Sequence, residues 1–247
     1  MKLNKRFRDL SLVSIDDKRL LVIACDSSGA IGNKEKDVVK VDPSIIGYFT
    51  CHVALCEILA LGAKPISIVN TLSVEMNNTG EKIISGIKKA LKQTEIVEDI
   101  IVTGSTEENF EVCQTGMGIT AIGIIDKDKF KKVQTKKDEL IVVAGLPKVG
   151  TEVDINDRDL LTIKKILQLR ENPYVSEILP VGSKGILYEI NELARTNNLK
   201  YILEDKINLD LKKSAGPATC ALLTVNKNGY DKLKNTINMP LNIIGSF

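Results

Sequence analysis

Short apolar runs alternate with amphipathic stretches along the chain, a pattern typical of mixed α/β proteins. Residues 20–25 are apolar and bounded by polar residues, which predicts a buried strand with Asp26 at its carboxyl end. The following residues, SSGAIGN, predict a glycine-containing loop. Residues 45–61 have the length of a helix and stop at Gly62 ahead of Pro65, which predicts a largely buried helix. Further elements are predicted as strands at 66–74, 100–103 and 119–125, and as an amphipathic helix at 81–93.

A charged stretch divides the chain into two parts. Residues 126–139, DKDKFKKVQTKKDE, are rich in charges of both signs, a composition typical of a solvated connection. We therefore expect an N-terminal domain over 1–130 and a smaller α/β domain over 138–247. The second domain is predicted to contain strands at 140–144, 220–225 and 241–244, and helices at 158–170 and 184–196.

Composition excludes several classes of function. The 247 residues are 43% hydrophobic and carry a formal charge of only +2, which disfavours a nucleic-acid or membrane-surface partner. The N-terminus lacks a secretory signal, and His52 and Glu57 interrupt the most apolar stretch, so we expect no membrane span. Five cysteines without a C-x-x-C pair fit a reducing cytoplasm. With one histidine, sites that need two imidazoles are excluded.

Two carboxylates are candidate ligands. Asp26 precedes Ser27-Ser28-Gly29, whose backbone could approach a phosphate or metal-bound water, although the same residues form ordinary turns. Glu57 lies among apolar neighbours, where an unpaired charge is costly, so it needs a cation, a hydrogen-bond network or solvent. Mg²⁺ prefers oxygen ligands from one or two carboxylates, which makes the pair plausible. A salt-bridged or exposed helix residue is the alternative for Glu57.

Other segments carry less specific signals. Residues 103–109 hold hydroxyls, carboxylates and an amide after a predicted strand, as a metal and phosphate loop would, or as a helix cap would. His52 and Cys56 share a helix face, but two ligands are too few, and a packed or substrate-facing histidine in a core helix is favoured. The chain has neither a P-loop motif nor a G-x-G-x-x-G motif after a strand, so any nucleotide site must be of another kind.

Four segments together resemble one family: CDSSGAIGNKEKD, VALCEILALGAKP, TGSTEENF followed by QTGMGITAIG, and PVGSKGILYEI. They are similar to the ATP-binding superfamily of aminoimidazole ribonucleotide synthetase, thiamine-monophosphate kinase, selenophosphate synthetase and the hydrogenase-maturation dehydratase. The resemblance implies a two-domain α/β fold with an N-terminal mixed sheet, a second domain that closes the cleft, and strands that join those of a second subunit in a homodimer. It also implies that acidic residues hold ATP and Mg²⁺ in that cleft.

The resemblance also implies roles for individual residues. The metal-binding carboxylates would be Asp9, Asp26 and Glu57. Lys34 would meet phosphate oxygens, and the segment Gly104, Ser105, Thr106 and Glu107 would complete the metal or phosphate shell. Ser105 stands where the family has an aspartate, so Glu107 is a candidate replacement. Asp37 or Glu75 could orient or deprotonate the attacking hydroxyl, and the spacing does not choose between them.

Departures from the family pattern select among its members. The hydrogenase-maturation proteins end in a reactive cysteine, whereas this chain ends Ile-Gly-Ser-Phe, so that activity is disfavoured. Selenophosphate synthetases carry an early cysteine or selenocysteine beside a lysine, and no such pair precedes Asp9, so that activity is disfavoured too. With its short second domain, the chain most resembles the α-ribazole kinases, which implies an ATP-dependent phosphotransferase acting on the 5′-hydroxyl of a benzimidazole riboside in cobalamin lower-ligand salvage. The alternatives are another ATP-dependent synthetase or ligase of the superfamily, and a non-catalytic ATP-binding protein.

Overall fold

A computed structural model describes residues 4–94, 96–131 and 133–247, which divide into two compact units. The first unit comprises the chain up to Ile58 together with Ala63–Ile125, and the second comprises Leu59–Gly62 and Asp126–Phe247. The division at residue 126 coincides with the start of the charged stretch. Each unit has its own sheet, and the two sheets differ in topology.

The first unit is built on a six-stranded mixed sheet in the order β1-β2-β3-β8-β6-β7, with a separate small pair β4-β5. The β6 strand is antiparallel to β8 and parallel to β7. As the last strand in the order, β7 lies at the edge of the sheet. The strands are β1 (Lys5–Phe7), β2 (Leu10–Ser14), β3 (Arg19–Gly29), β4 (Ile31–Gly32), β5 (Val39–Lys40), β6 (Lys64–Leu72), β7 (Ile101–Thr106) and β8 (Gly116–Asp126).

Two helices complete the core of this unit, α1 (Pro43–Ala60) and α2 (Glu81–Leu91). They pack closely because Gly47 and Gly86 bring the two backbones together. By length and composition alone α1 could cross a membrane, yet most of it is buried inside the protein, as a core helix is. The helix predicted at 45–61 is therefore confirmed to within two residues.

The second unit is built on a five-stranded antiparallel sheet in the order β10-β12-β9-β13-β11. Its central strands are almost fully buried, and the helix over Ile186–Asn197 packs Ile186, Ile190 and Leu193 into the same apolar cluster. The strands are β9 (Leu140–Gly145), β10 (Val175–Pro180), β11 (Ile202–Leu203), β12 (Cys220–Val225) and β13 (Leu241–Ser246). The helices are α3 (Lys127–Phe130), α4 (Ile163–Glu171), α5 (Ile186–Asn197) and α6 (Tyr230–Thr236).

The α/β fold class is confirmed, while two local expectations were wrong. The residues after Asp26 continue β3 to Gly29 rather than forming a loop. The α4 helix begins five residues later than predicted, because the Thr162 side chain accepts a hydrogen bond from Lys165 N and caps it there. Several elements had no sequence prediction, namely β1, β2, β4, β5, β10, β11, α3 and α6.

Candidate functional site

Asp26 lies where the buried face of β3 ends. Leu20, Val22 and Ala24 face the core, and strand alternation puts Asp26 on the same side. Burial raises the pKa of its carboxyl from 3.8 to about 6, and the hydrogen bond from the Ser27 backbone opposes this only in part. A carboxylate that loses hydration in this way is stabilised by any cation that reaches it, which is the property expected of a metal ligand.

The sheet register joins the Asp26 strand to the far edge of the first unit. A Cβ at Gly118 would lie 3.9 Å from Asp26 O and 2.8 Å from Thr71 Oγ1. Thr71 pairs with Gly118 on one side and with Ser105 on the other. Asp26, Gly118, Thr71 and Ser105 therefore lie in one row across the sheet, from β3 to the predicted phosphate segment on β7. Because Gly118 has no side chain, the space between Asp26 and Thr71 stays open.

The segment from Gly104 to Glu107 is shaped by its neighbours. A Cβ at Gly104 would lie 2.3 Å from both Asn70 O and Asn70 Oδ1, so only glycine fits beside this buried amide. Asn70 Nδ2 donates to Thr103 O at 2.9 Å. Ser105 and Thr106 then finish β7. Asn70 was not singled out from the sequence, because only the β6–β7 register brings it to Gly104.

Glu107 follows the strand and is held close to it. Its backbone nitrogen donates to Val74 O at 3.1 Å, and its Oε1 accepts from Asn109 N at 2.7 Å. The hydrogen bond from Asn109 is the main cause of the lowered pKa of this carboxyl. Glu107 is therefore ionised at neutral pH, as a replacement for the family's aspartate has to be.

Asp37 holds two loops together. Its side chain is 5% exposed, Oδ1 accepts from Thr115 N at 2.8 Å, and Oδ2 accepts from Thr115 Oγ1 at 2.7 Å and Lys34 N at 2.9 Å. Burial alone would raise the pKa of this carboxyl, but the hydrogen bonds from Thr115 and Lys34 outweigh it and lower the pKa. These surroundings favour a structural role for Asp37 over the hypothesis that it orients or deprotonates an attacking hydroxyl.

Replacing Asp37 with alanine is expected to destabilise the protein by about 2–3 kcal/mol at pH 7, since it leaves buried hydrogen-bond donors on Thr115 without a partner. Because the folded-state pKa is lowered, the stabilising contribution is present above the unfolded value and is lost as the pH falls through the folded value. Urea unfolding at pH 7 measures the first effect, and a series of unfolding curves at pH values below 3.8 measures the second. The exposed Asp17, replaced by alanine, serves as control; equal stability of the two variants at pH 7 would contradict the assignment.

The three carboxylates expected to bind metal are not equivalent. Asp9 lies in the exposed turn between β1 and β2, where its Oδ1 is 3.4 Å from Arg6 Nη2. Glu57 is partly buried on α1, between the fully buried Cys56 and Ile58. Within residues 4–94, 96–131 and 133–247, no three His, Cys, Asp or Glu side chains are assembled into a group that could hold a metal ion. A preformed three-carboxylate site is therefore not present in the described part of the chain.

His52 is a packed core histidine, as the sequence favoured. It is fully buried on α1, its ring stacks on Tyr48 with centroids 6.1 Å apart, and both ring nitrogens lie within 3.5 Å of Cys56 Sγ. Burial raises the pKa of the Cys56 thiol well above its ordinary value, so this sulfur stays protonated. A neutral thiol beside one imidazole is a packing contact rather than a metal site.

A family model matches most of the first unit. Residues 8–125 match the family described as AIR synthase related protein, N-terminal domain. No curated protein matches the sequence. This segment, which contains Asp26 and the Gly104–Glu107 region, is therefore similar to the N-terminal domain of the AIR synthase-related proteins.

Solved structures extend the likeness to the whole chain. PurL from Thermotoga maritima complexed with ATP aligns with 99% of this chain at a TM-score of 0.69 and 16% identity, and the chain spans 43% of that protein. Thiamine-monophosphate kinase from Stenotrophomonas maltophilia K279a aligns with 99% of the chain at a TM-score of 0.66 and 17% identity, with 88% of the kinase covered. HypE, a hydrogenase maturation protein from E. coli, aligns with 92% at a TM-score of 0.66 and 13% identity, with 78% of HypE covered. The fold of the superfamily is thereby confirmed.

Proposed function

We propose that the protein is an ATP-dependent kinase that phosphorylates the 5′-hydroxyl of a nucleoside-like acceptor, with α-ribazole as the first acceptor to test. The observation that carries the proposal is Asp26, a carboxylate at the end of a buried strand face, whose raised pKa marks a charge in need of a cation. The superfamily match of residues 8–125 supports a nucleotide site in this unit.

The neighbouring structures support the general class of reaction. One of them is complexed with ATP, and another is a kinase of which the chain covers 88%. These two structures support an ATP-utilising enzyme. Because both are less than 20% identical to this chain, they leave the acceptor open. The choice of α-ribazole rests on the sequence resemblance.

The donor chemistry of the residues fits Mg²⁺ with one protein carboxylate as the principal ligand. Mg²⁺ keeps several waters and binds substrate phosphates, so it does not require a cage of three carboxylates. In this proposal Asp26 is that ligand, and Glu57 and Asp9, which the resemblance implies as ligands, form no preformed three-carboxylate group with it in the described residues. Bound Mg²⁺ would supply charge neutralisation on the transferring phosphoryl group.

The chain's own groups then have defined tasks. Lys34 donates from its ammonium to phosphate oxygens, and the hydroxyls of Ser105 and Thr106 donate to the same phosphates or to their waters. Asp37 holds the backbone of Lys34 in place by accepting from its N–H. Phosphoryl transfer depends chiefly on such placement of donor and acceptor, so these residues suffice in kind.

A homodimer is the proposed assembly. The β7 strand lies at the edge of its sheet, and Ile101 on it is 70% exposed. The outer side of an edge strand is a template for pairing with another chain, and β7 begins with the two exposed apolar residues Ile101 and Val102, which supports the dimer expected from the family resemblance.

The test is product identification. We expect the purified protein with Mg-ATP and α-ribazole to form one phosphorylated riboside per ADP, as measured by mass spectrometry, while thiamine phosphate and common nucleosides stay unphosphorylated. Release of inorganic phosphate without a phosphorylated nucleoside would favour the ligase alternative. ATP binding without turnover on any acceptor would contradict the kinase proposal and favour a non-catalytic ATP-binding protein.

A further inference from the structure

Lys34 is held by one carboxylate at its backbone and by another at the tip of its side chain. Its backbone N–H donates to Asp37 Oδ2 at 2.9 Å, and its Nζ lies 2.8 Å from Glu75 Oε2. The Lys34 side chain is only 14% exposed, whereas that of Glu75 is 36% exposed. Lysine side chains are ordinarily flexible and solvated. The low exposure of Lys34 and its ion pair with Glu75 therefore indicate a side chain that is held in one position.

Glu75 is itself rigidly held. Its Oε1 accepts a hydrogen bond from the buried hydroxyl of Thr79, and its backbone oxygen accepts from Gly80 N at 2.9 Å. The next residue, Met76, donates its N–H to Glu108 Oε1 at 2.8 Å. A Cβ at Gly80 would lie 2.9 Å from Glu75 O, so the close turn that holds Glu75 depends on glycine. The carboxylate therefore has a fixed position from which to orient Lys34.

We propose that Glu75 is the positioning residue for Lys34, and that it acts on nucleotide binding only through the Lys34 ammonium. The inference rests on the proposed function, since it takes Lys34 as a phosphate contact. An ammonium has three N–H donors. Glu75 takes one and fixes the direction of the other two, which remain for phosphate oxygens. Glu75 thus has no role as general base in this site.

The negative charge of Glu75 has to be separated from its hydrogen bond in any test. Loss of the charge removes repulsion towards phosphate, while loss of the acceptor frees Lys34, and the two effects oppose each other. Glu75→Gln and Glu75→Ala both remove the charge, but only glutamine keeps an oxygen that can accept from Lys34 Nζ. The difference between the two variants therefore isolates positioning.

The experiment is a cycle of nucleotide affinities measured by isothermal titration calorimetry with Mg-ATP. We expect Glu75→Ala to bind Mg-ATP about tenfold more weakly than Glu75→Gln, because the ordering of a free lysine must then accompany binding. In a Lys34→Met background, the same two variants are expected to bind equally. A Gln–Ala difference that persists without Lys34, or that is absent with Lys34, overturns the proposal.

Glu111 supplies the matched control, because it is exposed and no hydrogen bond or ion pair of the described residues joins it to Lys34 or to the 75–80 turn. The Glu111→Gln and Glu111→Ala pair is expected to show the same affinity ratio with and without Lys34, and thermal unfolding checks that each variant is folded. If the wild-type protein binds no Mg-ATP, the nucleotide site and this inference both fall. If it binds Mg-ATP but phosphorylates no acceptor, the kinase proposal falls and the cycle still decides the role of Glu75.

Discussion

Replacement of Asp26 by asparagine is expected to abolish turnover of Mg-ATP while making the unliganded protein more stable at neutral pH. The two effects have one cause. The carboxylate sits where the buried face of β3 ends, and burial raises its pKa from 3.8 to about 6, so its charge is costly until a cation arrives. Asparagine removes both the cost and the ligand. We expect turnover to fall by about a hundredfold or more, as is typical when a group that stabilises transition-state charge is lost.

The stability gain has a defined pH window. Because the folded-state pKa of Asp26 lies above the unfolded value of 3.8, the folded protein binds the proton more tightly. The destabilisation by the charged form is absent below the unfolded value, grows between the two, and is complete above about pH 6. A pKa difference of about two between the folded and unfolded states corresponds to about 3 kcal/mol of stability. Solvent screening at this partly exposed carboxylate leaves about 1–2 kcal/mol.

Thermal unfolding of the unliganded protein at pH 8 and pH 4.5 measures the effect. For a chain of this size, about 1–2 kcal/mol raises Tm by roughly 2–8 °C, and we expect the gain for Asp26→Asn at pH 8 to shrink at pH 4.5. The control is Asp128→Asn, at a side chain that is 87% exposed and paired only on the surface with Lys131, where no gain is expected. Mg-ATP should raise Tm of the wild type and not of Asp26→Asn. An unchanged Tm at pH 8 together with retained turnover would remove Asp26 from the site.

The parts of the fold that the sequence predicts are those with a local signal. The α1 helix is an apolar run of helical length with a stop at Gly62 and Pro65, and each of these features is read within the run itself. The β10 strand was missed because Glu177 interrupts its apolar pattern. That buried carboxylate accepts from Thr135 N and Asn197 Nδ2, and both partners come from distant parts of the chain. Sequence distance hides the reason why a charge can lie in that strand.

The candidate site divides in the same way. Asp26 was found because it directly follows an apolar strand, a local signal. The partnership of Asp37 with Thr115 joins residues 78 positions apart, and that of Lys34 with Glu75 joins residues 41 positions apart, so neither could be read from spacing. Those contacts favour a structural role for Asp37 and a positioning role for Glu75 over proton transfer by either carboxylate. The assignments of Asp9 and Glu57 as ligands rest on the family resemblance and stay predictions.

A methyl group added at Gly86 is expected to have the largest effect on stability of any single change considered for the first unit. A Cβ at Gly86 would lie 1.9 Å from Ser44 O and 2.7 Å from Tyr48 N, and at Gly47 it would lie 2.0 Å from Ile83 O. The neighbours are backbone atoms of the crossing helix, so no side chain can turn away. The helices α1 and α2 would have to separate, which opens space in a core that is packed at close to crystal density.

We expect Gly86→Ala to lower the free energy of unfolding by about 3 kcal/mol or more. Overpacking of a core costs about 1–3 kcal/mol even when side chains can adjust, and here only the backbones can move. The higher helix propensity of alanine offsets no more than about 1 kcal/mol of this. Denaturant unfolding measures the change. Gly29→Ala is the matched control, because nothing lies within 4 Å of a Cβ at that position.

The same substitution links the packing of the helices to the candidate site. The α1 helix carries Glu57, and α2 starts directly after the turn that holds Glu75. If the two helices separate, nucleotide affinity should fall together with stability in Gly86→Ala. A Gly86→Ala protein with unchanged stability would mean that α1 and α2 do not meet at these glycines. Unchanged nucleotide affinity in a destabilised Gly86→Ala protein would instead show that the Lys34 and Glu75 contact is independent of the helix crossing.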